Sequence, residues 1–412
     1  MLRKVPNHDV ELGMFIVGFG GTWFDHPFWC GKFVIESVQD LERVRNSSVP
    51  YVVIDEARGL SATTDHAPDQ ALSWDEAPPK PKRRGRRRAR YRPTNTQDPK
   101  SVALRNAIAL ATRSKETMRR VFGDVEQGWA VDRSSVNTVL DDIVASIEED
   151  ARTLLSVTRL KTKDDYTYLH SVAVCTLMVC IARRRGMEDD EVRDLGLAGL
   201  LHDIGKIGIP DPILKKPEEL TEEELVIVRN HPEHGYHLLS QSPGIGESAL
   251  DVCRHHHEKI DGTGYPFGLA GDEISFAARL GAVCDVFDAL TSHRSYKGPW
   301  SSQRALTRMW AWEGHFDRSL IEELMKTLHI YADGILVRLS NHRLALTLTE
   351  QAGSEKVRAA EFFCLEQGER IEPRRIAIAE GDPDLQIMSI ESPADWGFDD
   401  WEDERERIIA RL

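Results

Sequence analysis

His256-His257-Glu258-Lys259-Ile260-Asp261-Gly262-Thr263-Gly264-Tyr265-Pro266 sets two imidazoles beside a carboxylate and then breaks into a glycine turn closed by proline. Side chains one residue apart on a continuous helix diverge by about 100°, so His256 and His257 can share an ion only where a helix ends. Gly262 and Gly264 supply that end. Imidazole is the commonest protein metal ligand, so the stretch points to a metal-dependent site on a helical scaffold. The rival reading is a histidine pair that only packs.

The surrounding block is helical. Val136, Val139, Leu140, Ile143, Val144 and Ile147 recur at i, i+3, i+4, i+7, i+8 and i+11, the stripe of an amphipathic helix, and Ser101 to Phe122 is similar in character. These two helices pack on the site helices or pair between subunits as a homodimer. Thr221 with Glu224 forms a capping box opening a helix that runs to His231, where Pro232 ends it. Within the block come His170, His202 with Asp203, His231, His256 with His257, and Asp285. His170 opens an apolar helix, and His202 with Asp203 follows the apolar run Leu195 to Leu201. A histidine and aspartate buried side by side need partners, and a divalent cation satisfies several at once. With no cysteine among them, imidazole and carboxylate donors suit iron or manganese, with magnesium, cobalt or nickel as further candidates, better than a structural zinc.

Toward the ends the pattern changes. Residues 1–63 read as a small β-rich domain, with a strand at Tyr51 to Asp55 and aromatic weight at Trp23, Phe24, Phe28 and Trp29. Residues 64–99 carry Lys80, Lys82, Arg83, Arg84, Arg86, Arg87, Arg88, Arg90 and Arg92, a density of like charge that predicts a disordered basic linker. Residues 100–330 form the helical domain. Beyond Phe316 short alternating strands return, as at Ile335 to Leu339 and Leu344 to Leu348, and residues 331–412 are assigned to C-terminal strands and a peripheral tail from Trp396. The expected fold is therefore mainly α, with small β elements at both ends.

At 412 residues the chain has room for two or three domains, and its net charge of −14 argues against a general nucleic-acid binder. An anionic substrate must be met by a local positive cluster or by metal. Six cysteines stand singly, at Cys30, Cys175, Cys180, Cys253, Cys284 and Cys364, as expected of reduced thiols in cytoplasm. The N-terminus lacks the apolar run of a signal peptide, and the longest apolar stretch, Val172 to Ala182, is too short for a transmembrane segment.

The series His170, His202 with Asp203, and Asp285 resembles the HD superfamily of metal-dependent phosphohydrolases. His231, the His256 and His257 pair, the Gly264-Tyr265-Pro266 turn and the run His202-Asp203-Ile204-Gly205-Lys206 to Ile209-Pro210-Asp211 look like its HD-GYP branch, phosphodiesterases that degrade the bacterial second messenger cyclic di-GMP. The N-terminal piece, with Gly13, Met14, Trp23, His26, Pro27 and Phe28, looks like a domain of unknown function often fused to this branch.

The resemblance implies an HD-type helical bundle and a binuclear metal centre. One ion would be held by His170, His202, Asp203 and Asp285, the other by Asp203, His231, His256 and His257. Some members place a glutamate one turn before the first histidine and hold a third ion; Tyr166 stands there in this chain, so two are expected. A hydroxide bridging the ions would attack the phosphodiester, giving linear pGpG as the end product or as an intermediate on the way to GMP. Lys206, Arg294 and Lys297 would bind the substrate phosphates. Asp288, one turn from Asp285, would orient a histidine, and Glu258 and Asp261 have similar standing. His255 reads as a bystander, and His234 and His237 as peripheral. Gly264, Tyr265 and Pro266 would shape a loop or meet a protein partner such as a diguanylate cyclase domain. Lys216-Pro217-Glu218 departs from the branch's usual Lys-Pro-Gly but removes no ligand. The alternatives are a catalytically weak cyclic di-GMP receptor and a phosphohydrolase for another nucleotide.

Overall fold

The structure, a computed structural model, describes residues 2–19, 33–35, 41, 44–45, 51–55, 99–159, 166–214, 216, 220–292, 300–349 and 356–412. The aromatics from Trp23 to Trp29, the basic run and both Arg294 and Lys297 lie outside the described residues. The chain divides into two compact units, Met1–Thr96 with Lys216–Thr221, and Gln97–Lys215 with Glu222–Leu412.

The first unit holds an antiparallel sheet of β1 (Leu2–Pro6), β2 (Phe15–Phe19), β3 (Phe33–Val34) and β4 (Tyr51–Asp55), in the order β1-β4-β2-β3. Alternate residues of β1 and β4 reach a core of Val5, Val10, Met14, Ile16, Ile35, Val44, Val52 and Ile54.

The second unit is mainly helical. α1 (Pro99–Glu126) and α2 (Arg133–Thr158) form a long hairpin. Asp132 caps α2, accepting from Ser134 N and Ser135 N. Asp150 breaks the helical backbone within α2, and its carboxylate accepts from Thr153 N at 3.0 Å. α3 (Tyr166–Arg184) is buried from Leu169 to Ala182. It packs against α1, α2, α4 (Asp189–Leu201), α9 (Phe276–Thr291) and α11 (Arg318–Leu328). A helix apolar all round has to be central, which accounts for the uninterrupted Val172 to Ala182 stretch. Among the described residues no helix is long and apolar enough to cross a membrane.

Between α4 and α9 lie α5 (Asp211–Leu214), α6 (Glu222–Arg229), α7 (His231–Ser240) and α8 (Glu247–His255); α10 (Ser302–Ala311) follows α9. Pro232 does more than end α6. It sits in the first turn of α7, where proline's missing N–H has no helical partner to lose, so His231 begins a new helix.

Strands do not resume directly beyond Phe316, because α11 intervenes. A second antiparallel sheet then follows: β5 (Leu336–Leu339), β6 (Arg343–Thr347), β7 (Val357–Cys364), β8 (Glu369–Ile378) and β9 (Ile387–Ile390), ordered β8-β7-β6-β5-β9. The stretch from Trp396 is not a peripheral tail. α12 (Trp401–Ala410) seats Ile408, with Phe398 before it, against Leu336, Leu344, Leu346, Ala360 and Phe362, and Trp401 Nε1 donates to Gly334 O at 3.0 Å.

Candidate metal centre

Five elements deliver the site, mostly from helix ends. His170 lies in the first turns of α3, His202 caps the C-terminus of α4, His231 opens α7, His256 caps α8, and Asp285 lies on α9. After Asp203 the chain makes a tight turn, Ile204–Gly208, that rests on α7. Gly205 is required there: a Cβ would lie 1.9 Å from His231 O and 2.5 Å from Gly235 N.

Asp203, 1% exposed, is at the middle. Its Oδ2 faces His170 Nε2 at 3.6 Å and His202 Nε2 at 3.3 Å, and its Oδ1 faces His231 Nε2 at 3.4 Å and His256 Nε2 at 3.7 Å. On one side His170, His202 and Asp285 converge, and on the other His231, His256 and His257. The structure thus brings seven sequence-predicted residues together.

The histidines are oriented from behind. His202 Nδ1 donates to Gly199 O at 2.9 Å, His231 Nδ1 to Val228 O at 2.7 Å, and His256 Nδ1 to Val252 O at 2.9 Å. A carbonyl only accepts, so Nδ1 carries the proton and the Nε2 lone pair faces the site. His170 Nδ1 is 2.6 Å from Asp288 Oδ2, and Ser292 Oγ donates to Asp288 Oδ1 at 3.2 Å. Ser292 escaped the sequence reading although it stands one turn beyond Asp288. Among the described residues, neither His202 Nε2 nor Asp203 Oδ1 has a hydrogen-bond partner. Buried polar atoms left this way are costly, and five imidazoles with two carboxylates are a donor set that divalent cations satisfy. The residues present fit a metal centre.

Burial alone would raise the Asp203 carboxyl, but Lys206 and His202 outweigh it and hold it well below the usual range. Asp285 is likewise lowered against its burial, by its bond to His170. Burial pushes His256 down to about 3 and His257 well below the ordinary histidine value, and it takes His315, which stacks on both Trp312 and Phe316, to about 3. His202 moves the other way: burial would lower it, but Asp203 raises it. An unfolded chain takes up protons on its histidines near pH 6.5, where His256, His257 and His315 stay neutral in the fold. Their stabilisation is full above that pH and is lost as pH falls toward 3. His202 contributes in the opposite sense, present below pH 6.5 and lost above it, and is outnumbered. The chelator-treated protein should therefore melt at lower temperature at pH 5 than at pH 7.5, and a higher melting temperature at pH 5 would contradict this balance.

Lys206 Nζ lies 2.5 Å from Asp203 Oδ2 and is partly exposed at the site. Tyr265 stacks on His257, with centroids 4.7 Å apart. Glu258, 3% exposed, accepts from Phe267 N at 2.7 Å and Leu269 N at 3.1 Å and so ties down the turn. Glu258→Ala should cost about 2 kcal/mol by leaving both N–H groups unbonded, measurable as a lower denaturant midpoint. Asp261 faces away, accepting from Thr263 N at 2.9 Å. His255 pairs with Asp251 at 2.8 Å, apart from the ligand groups. His237 is exposed, but His234 is not peripheral: its Nδ1 donates to Gly205 O at 3.0 Å, holding the turn after Asp203 on α7.

Comparison with known proteins places this geometry. The HD domain family matches residues 142–320, and a domain of unknown function (DUF3391) matches residues 2–136. "Cyclic di-GMP phosphodiesterase PA4108" of Pseudomonas aeruginosa is 41% identical over 97% of this chain and 94% of its own length. "Cyclic di-GMP phosphodiesterase response regulator RpfG" of Xanthomonas campestris is 46% identical over 35% of this chain and 39% of its own. "3'3'-cGAMP-specific phosphodiesterase 2" of Vibrio cholerae is 40% identical over 35% of this chain and 28% of its own. Matched by the HD domain family over residues 142–320 and sharing nearly its whole length with one cyclic di-GMP phosphodiesterase, the chain belongs to the HD-GYP branch of the HD-domain phosphohydrolases.

Proposed function

We propose that this protein hydrolyses cyclic di-GMP to linear pGpG, and further to GMP, in bacterial second-messenger signalling in the cytoplasm. The observation that carries the reading is the two-sided Asp203 carboxylate, with one oxygen toward His170 and His202 and the other toward His231 and His256. His170, His202, Asp203 and Asp285 would hold one divalent ion, and Asp203, His231, His256 and His257 the second. Iron or manganese suits these donors best. Two such ions supply charge neutralisation for a phosphodiester and an attacking water of lowered pKa.

The chain's own groups do the rest. The Nδ1 bonds fix the ring planes and aim Nε2 at the site. Lys206 presents an ammonium beside Asp203 for a substrate phosphate and for charge developing on it. Arg294 and Lys297, outside the described residues, are assigned the remaining phosphate contacts. Catalysis belongs to residues 100–330, with residues 1–63 as a regulatory domain. A protein partner such as a diguanylate cyclase domain would meet Phe267, 50% exposed beside the turn, rather than the partly buried Tyr265.

The test is product analysis on metal-loaded protein, with release of pGpG expected and Asp203→Ala inactive. No release, or equal release by both, would refute the reading. The relative specific for 3'3'-cGAMP favours a second substrate. A higher kcat/KM for cyclic GMP-AMP than for cyclic di-GMP would replace the first.

A further inference from the structure

His202, His231 and His256 each donate Nδ1–H to a carbonyl, and His170 is held by Asp288. His257 differs: among the described residues its ring nitrogens make no hydrogen bond. The His256 ring meets it tilted by 43° at 4.1 Å and the His231 ring edge-on at 5.0 Å, whereas the Tyr265 ring, 4.7 Å away between centroids and 21° from parallel, is stacked on its face. The turn is shaped to deliver that ring. Gly264 must lack a Cβ, which would lie 2.5 Å from both Glu258 Cα and Lys259 N. Tyr265 N donates to His257 O at 3.2 Å, closing the turn over the histidine it stacks on. Glu258 anchors the outgoing strand of the turn through Phe267 N and Leu269 N. The Arg229 guanidinium, 5.6 Å from the Tyr265 centroid, adds a second neighbour to the same ring.

We infer that Tyr265 is a positioning residue for His257, its ring fixing the imidazole plane as the carbonyls fix the others. An imidazole with no Nδ1 bond is free to turn about its Cβ–Cγ axis, and a face-to-face neighbour removes that freedom. This deepens the proposed function and rests on its reading of His257 as a ligand. The Gly-Tyr-Pro turn then has an inward role in the second ion's site, separate from any outward surface for a partner.

Mn²⁺ binding to the full chain tests it, by metal stoichiometry and competition with a chelator. The proteins compared are wild type, Tyr265→Leu, Tyr265→Phe, His257→Ala and the His257→Ala, Tyr265→Leu double variant. Tyr265→Met is made in parallel so that the result does not depend on one variant folding. Tyr265→Leu should bind one of the two ions about tenfold more weakly, with the other ion and the circular dichroism unchanged, whereas Tyr265→Phe, which keeps the ring, restores most of the affinity. In the His257→Ala background, Tyr265→Leu should add nothing further. Wild-type affinity for both ions in the Leu and Met variants, or the same tenfold loss when His257 is already gone, overturns the inference. If His257→Ala weakens metal binding and Tyr265→Leu does not, only the positioning role fails. If His257→Ala itself binds two ions like wild type, the ligand reading falls with it.

Discussion

Asp203→Ala is expected to abolish two-ion binding and to lower cyclic di-GMP turnover by about a thousandfold or more. One carboxylate faces both ligand groups, within 3.3 to 3.7 Å of four imidazole nitrogens, so its loss disables both halves together. Metal-borne stabilisation of a phosphodiester transition state is worth several kcal/mol, and each 1.36 kcal/mol is a factor of ten. Asp203→Asn is the sharper control, since it keeps the shape but offers one oxygen acceptor and no charge. Metal analysis and initial rates on the same samples check both parts. Two ions bound at wild-type affinity, or a loss of under tenfold, would be incompatible with a shared carboxylate.

Lys206→Met should separate catalysis from metal binding. Its ammonium, 2.5 Å from Asp203 Oδ2, helps hold that carboxyl ionised and competes with a cation for the same oxygen. Removing the charge should leave metal affinity equal or slightly higher while kcat falls about a hundredfold, the usual scale for losing one preorganised donor to developing negative charge. Chelator competition and steady-state kinetics read the two effects. Loss of metal in parallel with activity would make Lys206 a structural support for the centre instead of a substrate contact.

The histidine and aspartate series that the fold clusters was legible because its residues stand where the pattern of the chain changes: His202 and Asp203 after the Leu195 to Leu201 run, and His256 and His257 before a glycine turn. The helices α1 and α2 were legible from their 3.6-residue stripes, but their pairing with each other was not. Other features depend on contacts that periodicity does not carry. α12 has too few apolar residues of its own to show a stripe, and its packing is completed by Phe398 and Trp396, which precede the helix. His234 looks like any exposed helical histidine until Gly205, 29 positions earlier, brings a carbonyl against it. Pro232 signals a boundary in either direction, and only the fold shows that it opens α7. Tyr265 reads as a turn residue, because a stacking partner eight residues back cannot be inferred without the path of the turn between them.

Metal content and reaction products determined together, on one freshly prepared sample of the full chain, bear on site and activity at once. Two divalent ions per chain, with cyclic di-GMP converted to pGpG in proportion to metal loading, are predicted. A third well-occupied ion, or turnover that persists unchanged after the metal is stripped, would contradict the two-ion centre built around Asp203.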